Sequence, residues 1–240
     1  MTLSRIAGSA LALGSMALAP QALAQVESKD SISGHAECSV ATGYILQKVN
    51  LVVTDKDQLS CAGSAAFDTE DFGFWKLKGW NTTDIDGGFS AETDLGADWK
   101  PSKESPLTLG ASKFILAGDN NDIMSYTANY NLGSAGSFDL QILDPARGET
   151  GFVAGYNAPK FKHDLPFDTT FGHGLTISYA RRANSGEELA SLRYNASLSR
   201  PVAEKVDFVV RGQLAKPIYK TGAVDSDAIS QVNAGLKLRY

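Results

Sequence analysis

Between residues 89 and 99, Phe89, Ala91, Thr93, Leu95, Ala97 and Trp99 occupy one parity, and Ser90, Glu92, Asp94, Gly96 and Asp98 the other. A strand sends successive side chains to opposite faces, so this segment predicts a β-strand with one apolar and one acidic face. The same period recurs along the chain. Met124, Tyr126, Ala128, Tyr130 and Leu132 alternate with Ser125, Thr127 and Asn129, and Phe171, Leu175, Ile177 and Tyr179 with Gly172, Gly174, Thr176 and Ser178. Val206, Phe208, Val210 and Leu214 interleave with Asp207, Arg211 and Gln213, and Val232, Ala234, Leu236 and Leu238 with Gln231, Asn233, Lys237 and Arg239.

Clusters of Gly, Pro, Asp and Asn bound twelve such segments, near 37–46, 58–68, 72–81, 89–99, 106–116, 122–132, 137–144, 151–158, 169–181, 188–199, 205–216 and 228–240. Pro159, with Lys160 and Lys162 beside it, suits an edge, a bulge or a strand end rather than a ladder interior. Residues 25–36 are polar and aperiodic and read as a flexible lead-in. No helical stretch or linker interrupts the series, so one domain with sequential up-and-down order is expected from 37 to 240. Connections are short at Thr69–Asp71, Gly133–Gly136 and Arg200–Glu204. They are longer at Gln47–Asp57, Thr82–Gly88 and Ile218–Asp227. Tight turns at one end and longer loops at the other are the habit of transmembrane barrels.

Composition narrows the classes. The 240 residues are 43% apolar and 20% charged, with 23 Gly, 8 Pro and 2 Cys, which excludes collagen, a disulfide scaffold and outright disorder. Residues 1–24 carry one charge, Arg5, then an apolar run from Ile6 to Ala19 and the small-residue sequence Ala22-Leu23-Ala24. This reads as a cleaved secretory signal peptide. Without it, 216 residues carry 21 basic and 27 acidic side chains, a net charge of −6 that argues against nucleic acid as a partner. No later apolar run approaches the roughly 18 residues of a spanning helix.

An alternating strand can belong to a sandwich, a soluble ligand-holding barrel or a membrane barrel. Phe89 and Trp99 share a face ten residues apart. At about 3.4 Å per residue and about 45° of tilt they are roughly 24 Å apart along the normal, the height of a hydrocarbon band between aromatic girdles. Phe171, Tyr179 and Tyr240 are the other girdle candidates. Tyr240, with Leu238 and Leu236 on its parity, resembles the aromatic-terminated closing strand of Gram-negative outer-membrane β-barrels. The whole pattern resembles the small outer-membrane porins. Gly43-Tyr44, Thr54-Asp55-Lys56-Asp57 and Gly73-Phe74-Trp75 resemble the opening segments of the TorF-type porin group, although Tyr44 is followed by Ile45-Leu46-Gln47 where that group carries Arg-Gly.

The resemblance implies an all-β fold, a single up-and-down antiparallel transmembrane β-barrel of about twelve strands with both termini periplasmic. It also implies insertion machinery that recognises the C-terminal strand, a surrounding outer-membrane lipid, and passive diffusion of small hydrophilic solutes. The alternatives are a non-conducting barrel that presents loops such as Gln47–Asp57 and Ile218–Asp227 for surface binding, and a soluble periplasmic barrel holding an apolar ligand.

If the polar parity faces a lumen, the pore-lining candidates are Lys76, Lys78, Glu92, Asp94, Asp98, Arg193, Asp207, Arg211, Lys237 and Arg239. A turn centred near Ile85 sets Lys76 opposite Asp94 and Lys78 opposite Glu92. Similar arithmetic sets Asp207 opposite Arg239 and Arg193 opposite Arg211. Asp94 on one wall and the two arginines on the other then predict a transverse field at mid-depth that orients hydrated solutes. The competing reading is a salt-bridge plug. Cys38 falls opposite Ala66 and Cys61 opposite Gly43 about a loop centred near Val52, which predicts no bridge in that register.

No enzyme, cofactor or metal site is expected. Of the three histidines, His35 falls in the lead-in, His163 falls in a turn beside Asp164, a sequence neighbour that rarely orients a base productively, and His173 falls on the lipid parity near an interface with no companion acid on that face. Asp119-Asn120-Asn121-Asp122 lacks the spacing and the glycine of a calcium loop and is explained by turn chemistry.

Overall fold

The computed structural model describes residues 32–46, 51–69, 71–85, 92–116, 122–221 and 228–239. Thirteen strand segments follow in chain order. They are β1 Ser33–Leu46, β2 Leu51–Thr69, β3 Gly73–Asp84, β4 Glu92–Lys100, β5 Leu107–Leu116, β6 Ile123–Asn131 and β7 Ser137–Pro145, then β8 Gly151–Asn157, β9 Phe161–Leu165, β10 Thr169–Arg182, β11 Glu188–Ala203, β12 Val206–Lys220 and β13 Ile229–Arg239. Neighbours pair antiparallel, β13 returns to β1, and β10 pairs with β11, so the sheet closes on itself. Closure leaves no long free edge.

β8 and β9 share one position. Both pair with β10, β8 over Gly151–Asn157 and β9 over Phe161–Leu165, separated by Ala158-Pro159-Lys160. The barrel therefore has twelve strand positions. Pro159 lacks an N–H and stands where the ladder breaks. β8 also pairs with β7, whereas β9 has β10 alone as a neighbour. The β9–β10 turn holds Phe167 and Asp168 at φ 62° and 55°.

The strands run further than the alternation alone suggested. β1 begins at Ser33, inside the segment read as lead-in, and β2 begins at Leu51, so the loop expected over Gln47–Asp57 contracts. Thr82–Asp84 belong to β3 and Ile218–Lys220 to β12, on the same loop side. An even number of positions brings the described ends together, His35 pairing with Arg239 at one rim. The signal-peptide reading of residues 1–24, and the candidates Phe89 and Tyr240, lie outside the described residues.

The burial pattern is inverted relative to a soluble core. The largest fully buried side chains are Gln58, Thr82, Ser125 and Ser191, while Leu95, Leu140 and Leu236 are 55%, 60% and 54% exposed. Small residues let strands meet at the closing seam. A Cβ at Gly235 on β13 would approach Ser39 Cα of β1 to 2.6 Å, so a larger residue there would push the seam apart. Among the described residues no helix is long and apolar enough to cross a membrane.

Candidate pore lumen

Directly paired residues share a face, so the inner wall can be traced strand by strand. A cavity of about 850 Å³ is lined by Glu37, Asp94, Arg193, Arg211, Lys160 and Lys162, among others. A second, of about 380 Å³, is lined by His35, Ser64, Lys76, Lys78, Ser112 and Gln141. Ala62, Trp80 and Asp94 line both and stand between them. Asp98 pairs with Lys76, Glu92 with the fully buried Thr82, Asp207 with Lys237, and Arg239 with His35, which places all ten candidate residues on the cavity side of their strands.

The individual pairings differ from the expected ones. Lys76 faces Asp98, Lys78 faces Gly96, and Asp94 faces Trp80, because the β3–β4 hairpin turns two residues later than Ile85. Burial draws the loop-like Thr82 into the strand, where its hydroxyl meets Ser60 Oγ at 2.7 Å. Lys78 Nζ instead reaches Asp98 diagonally at 2.6 Å.

Arg193 and Arg211 are not opposed. They face Ala215 and Ser197, because β11 continues through Pro201 to Ala203 before turning. Arg211 reaches across β13 to Glu37 on β1 in a two-pronged ion pair, its Nη2 donating to Oε2 at 2.7 Å. Asp207 faces Lys237 instead of Arg239, yet Arg239 Nη2 still lies 3.1 Å from its carboxylate.

A polar belt runs round the opposite wall. Asn157 donates to Asp139 Oδ1 at 2.8 Å, Thr176 donates to Asn157 Oδ1 at 2.9 Å, and Thr176 pairs with Arg193, whose facing charge is Asp139. Toward the loop end the wall residues pack together: Gln141 donates to Ser125 Oγ at 2.6 Å, Ser178 and Ser191 hydroxyls meet at 2.8 Å, and Gln58 bonds Asp84. Each contact satisfies one atom of a buried polar group, while Asp84 Oδ2 and Gln141 Oε1 stay buried without a partner among the described residues.

Most of the aromatics stand on the outer face, Trp80 and Phe114 being inward. Trp75 and Trp99 lie 6.5 Å apart across β3–β4, and Trp99 Nε1 donates to Phe72 O at 2.6 Å. Tyr130, Phe138 and Tyr156 form a row across β6, β7 and β8 near the same rim, the last two rings 5.2 Å apart. Phe171 and Tyr179 also lie on the outer parity of β10, Tyr179 toward the other rim.

Three sequence readings of small features are corrected. Cys38 and Cys61 face each other directly, Cα–Cα 4.1 Å, and are disulfide-bonded on the outer face. The anticipated register failed because β1 and β2 are joined by a much shorter connection and slip at Thr42–Ile45. His35 stands in β1 rather than in a lead-in, facing inward with Nδ1 3.1 Å from Ser64 Oγ, and His163 stands in β9 rather than in a turn. Asp122 is held by Lys113 at 2.7 Å, while Asp119–Asn121 lie outside the described residues. No group of three or more His, Cys, Asp or Glu suited to a metal occurs among the described residues.

Trp80 and Glu37 were missed as lumen residues. Trp80 shares the parity of Lys76 and Lys78, which was a usable signal. It was obscured because an aromatic residue ordinarily argues for the apolar face.

No family model matches the chain, and no curated protein matches it. Its structural neighbours are outer-membrane porins and channels. The chain is similar to the KdgM porin, with 12% identity and a TM-score of 0.48 over 86% of this chain and 99% of that one. It is similar to an outer membrane channel from Pseudomonas putida F1, with 12% identity and a TM-score of 0.46 over 87% of this chain and 95% of that one. It is also similar to the NanC porin, with 7% identity and a TM-score of 0.46 over 85% of this chain and 98% of that one.

Proposed function

We propose that the chain is an outer-membrane barrel that admits small hydrophilic solutes by passive diffusion, with both termini on the periplasmic side. The observation that carries the reading is the cavity shared by Asp94, Arg193 and Arg211 inside a wall whose outer surface is apolar. Asp94 on β4, Arg193 on β11 and the Arg211–Glu37 pair line the path with polar groups, which favours hydrated, dipolar solutes over apolar ones. Lys76, Lys78, Glu92, Asp98, Asp207, Lys237 and Arg239 extend the charged lining above and below that level. The exposed aliphatic band and the aromatic row near the tight-turn rim support lipid contact and a girdle that includes Trp99 and Phe171.

A second reading, a non-conducting barrel, is favoured by the close packing of Gln58, Thr82, Ser125, Gln141 and Ser191 toward the loop end. Planar-bilayer recording of the purified protein separates the two. The diffusion reading predicts stepwise conductance, larger in Arg211→Ala, which removes a guanidinium from the cavity wall. Absence of conductance in both proteins would leave the plugged barrel as the correct description.

A further inference from the structure

His163 and His173 lie diagonally across the β9–β10 ladder, each paired with a phenylalanine of the other strand. Their Nε2 atoms are 3.3 Å apart, their planes are within 10°, and their ring centres are 5.4 Å apart. The difference between those two distances is about the sum of two imidazole radii, so the Nε2 atoms point at each other, and the rings meet edge to edge. One proton occupies the gap in a hydrogen bond between a donor and an acceptor imidazole.

We propose that this pair is a two-imidazole site for a borderline divalent metal ion of the zinc class, in which the ion takes the place of the shared proton and that proton moves to Nδ1 of the donor ring, so that both imidazoles bind as neutral ligands through Nε2. Two nitrogens 3.3 Å apart, each about 2.05 Å from a metal, subtend roughly 107°, close to the tetrahedral angle zinc adopts. The ion sits about 1.2 Å off the line between the nitrogens, a displacement that the soft χ2 torsion of histidine accommodates. The surroundings supply no competing ligand. Rings of Phe161, Phe171 and Tyr194 lie 5.3, 5.4 and 6.0 Å from that of His173, and the neighbouring Lys162 and Asp164 belong to the opposite parity. The remaining coordination positions face outward and take water.

Water reaches the site. All five residues of β9 are exposed, and His173 is four residues from the start of β10 at Thr169. At about 3.4 Å per residue and about 45° of tilt this puts it roughly 10 Å from the hairpin turn, one outward position deeper than Phe171 and at the border between headgroups and acyl chains, the depth to which interfacial water reaches. The ion would clamp β9 to the one strand it pairs with, at the place where the barrel wall lacks a second neighbour. This inference does not depend on whether the lumen conducts.

The chain has only three histidines, so nitrogen NMR of the untagged folded barrel, labelled with ¹⁵N-histidine and titrated with Zn²⁺, tests the site. One equivalent should move the Nε2 signals of His163 and His173 together while His35 stays in place. His173→Asn and, separately, His163→Asn should each weaken Zn²⁺ binding at least tenfold, and His35→Asn should leave it unchanged. The proposal is overturned if His163 and His173 respond with different affinities, or if both asparagine variants, still folded by heat-shifted gel mobility, bind Zn²⁺ within twofold of the parent.

Discussion

The orientation of the wall is testable at the middle of β7. This strand runs from Ser137 to Pro145 and is centred on Gln141, which faces inward and is buried. Its neighbours Leu140 and Ile142 face outward, 60% and 42% exposed. Each residue advances about 2.4 Å along the membrane normal at about 45° of tilt, so both lie within about 3 Å of the strand's mid-height. An arginine on the lipid face near the bilayer midplane costs about 2–4 kcal/mol, and one near the interface about 0–1 kcal/mol.

Leu140→Arg and Ile142→Arg should therefore each lower the folded-to-unfolded ratio by about 30- to 700-fold, using about 1.4 kcal/mol per factor of ten. Leu132→Arg, beside the rim turn at Gly133–Ala135, should cost about 1 kcal/mol or less. The assay is equilibrium unfolding from phosphatidylcholine liposomes followed by fluorescence of the three tryptophans, Trp75, Trp80 and Trp99. On a water-facing wall, the same substitutions of already exposed leucine and isoleucine would stay within about 0.5 kcal/mol. That result at both Leu140 and Ile142 would falsify lipid contact on the outer parity, whatever the lumen does.

Two further outcomes follow from contacts between β1 and β2 and at the loops. The Cys38–Cys61 bridge spans 23 residues of chain, so chain entropy assigns it about 3 kcal/mol. The double variant Cys38→Ser/Cys61→Ser should lose about 2–3 kcal/mol in the same unfolding assay, and no loss would show that the β1–β2 ladder alone holds the register. On the loop side, Ser185 N–H donates to Glu149 Oε2 at 3.0 Å, and this bond holds the Glu149 carboxyl below its ordinary pKa. A depressed carboxylate pKa contributes order above the unfolded value and loses it as pH falls through the folded value. Amide exchange at Ser185 should therefore be slow near pH 7, beyond the intrinsic pH dependence, and protection should disappear in acid; Glu149→Gln should weaken protection at both pH values. Equal protection at Ser185 in the parent and in Glu149→Gln at pH 7 would refute the link.

Face and fold were legible because each can be read within a single strand. Phe89 to Trp99 needs no partner to show which side is apolar, and twelve such segments with short and longer connections already specify an even, sequential barrel. The exceptions have local causes. Thr82, Asp84 and Leu51–Asp57 look like loop from composition, but they belong to strands that run on past the apolar band toward the loop side, where alternation of hydrophobicity gives no signal. The segment around Pro159 was recognised as a break, yet its continuation as β9 was not, because Phe161–Leu165 is too short and too charged to declare a strand without β10 beside it. Ser33–Ala36 was likewise unreadable until β2 and β13 were in place to pair with it.

Register is a different kind of information, since it depends on where two distant segments turn. The β3–β4, β11–β12 and β12–β13 hairpins all differ from the expected register by an even number of residues. An even slip returns each side chain to its own face. That is why Lys76, Asp94, Arg193 and Arg211 stand on the cavity side although none meets its expected partner. The β1–β2 hairpin slips by an odd number, and there the error was qualitative: Cys38 was set against Ala66, an inward position, when it faces Cys61 on the outside. A lumen reading that rests on parity survives such errors, whereas any statement about a particular ion pair does not. The Arg211–Glu37 pair makes the point, because it joins β12 to β1 across β13 and exists only once the barrel has closed. Residues 174 positions apart meet through the shear of the whole cylinder, a quantity no hairpin contains and which only the sum of all its registers determines.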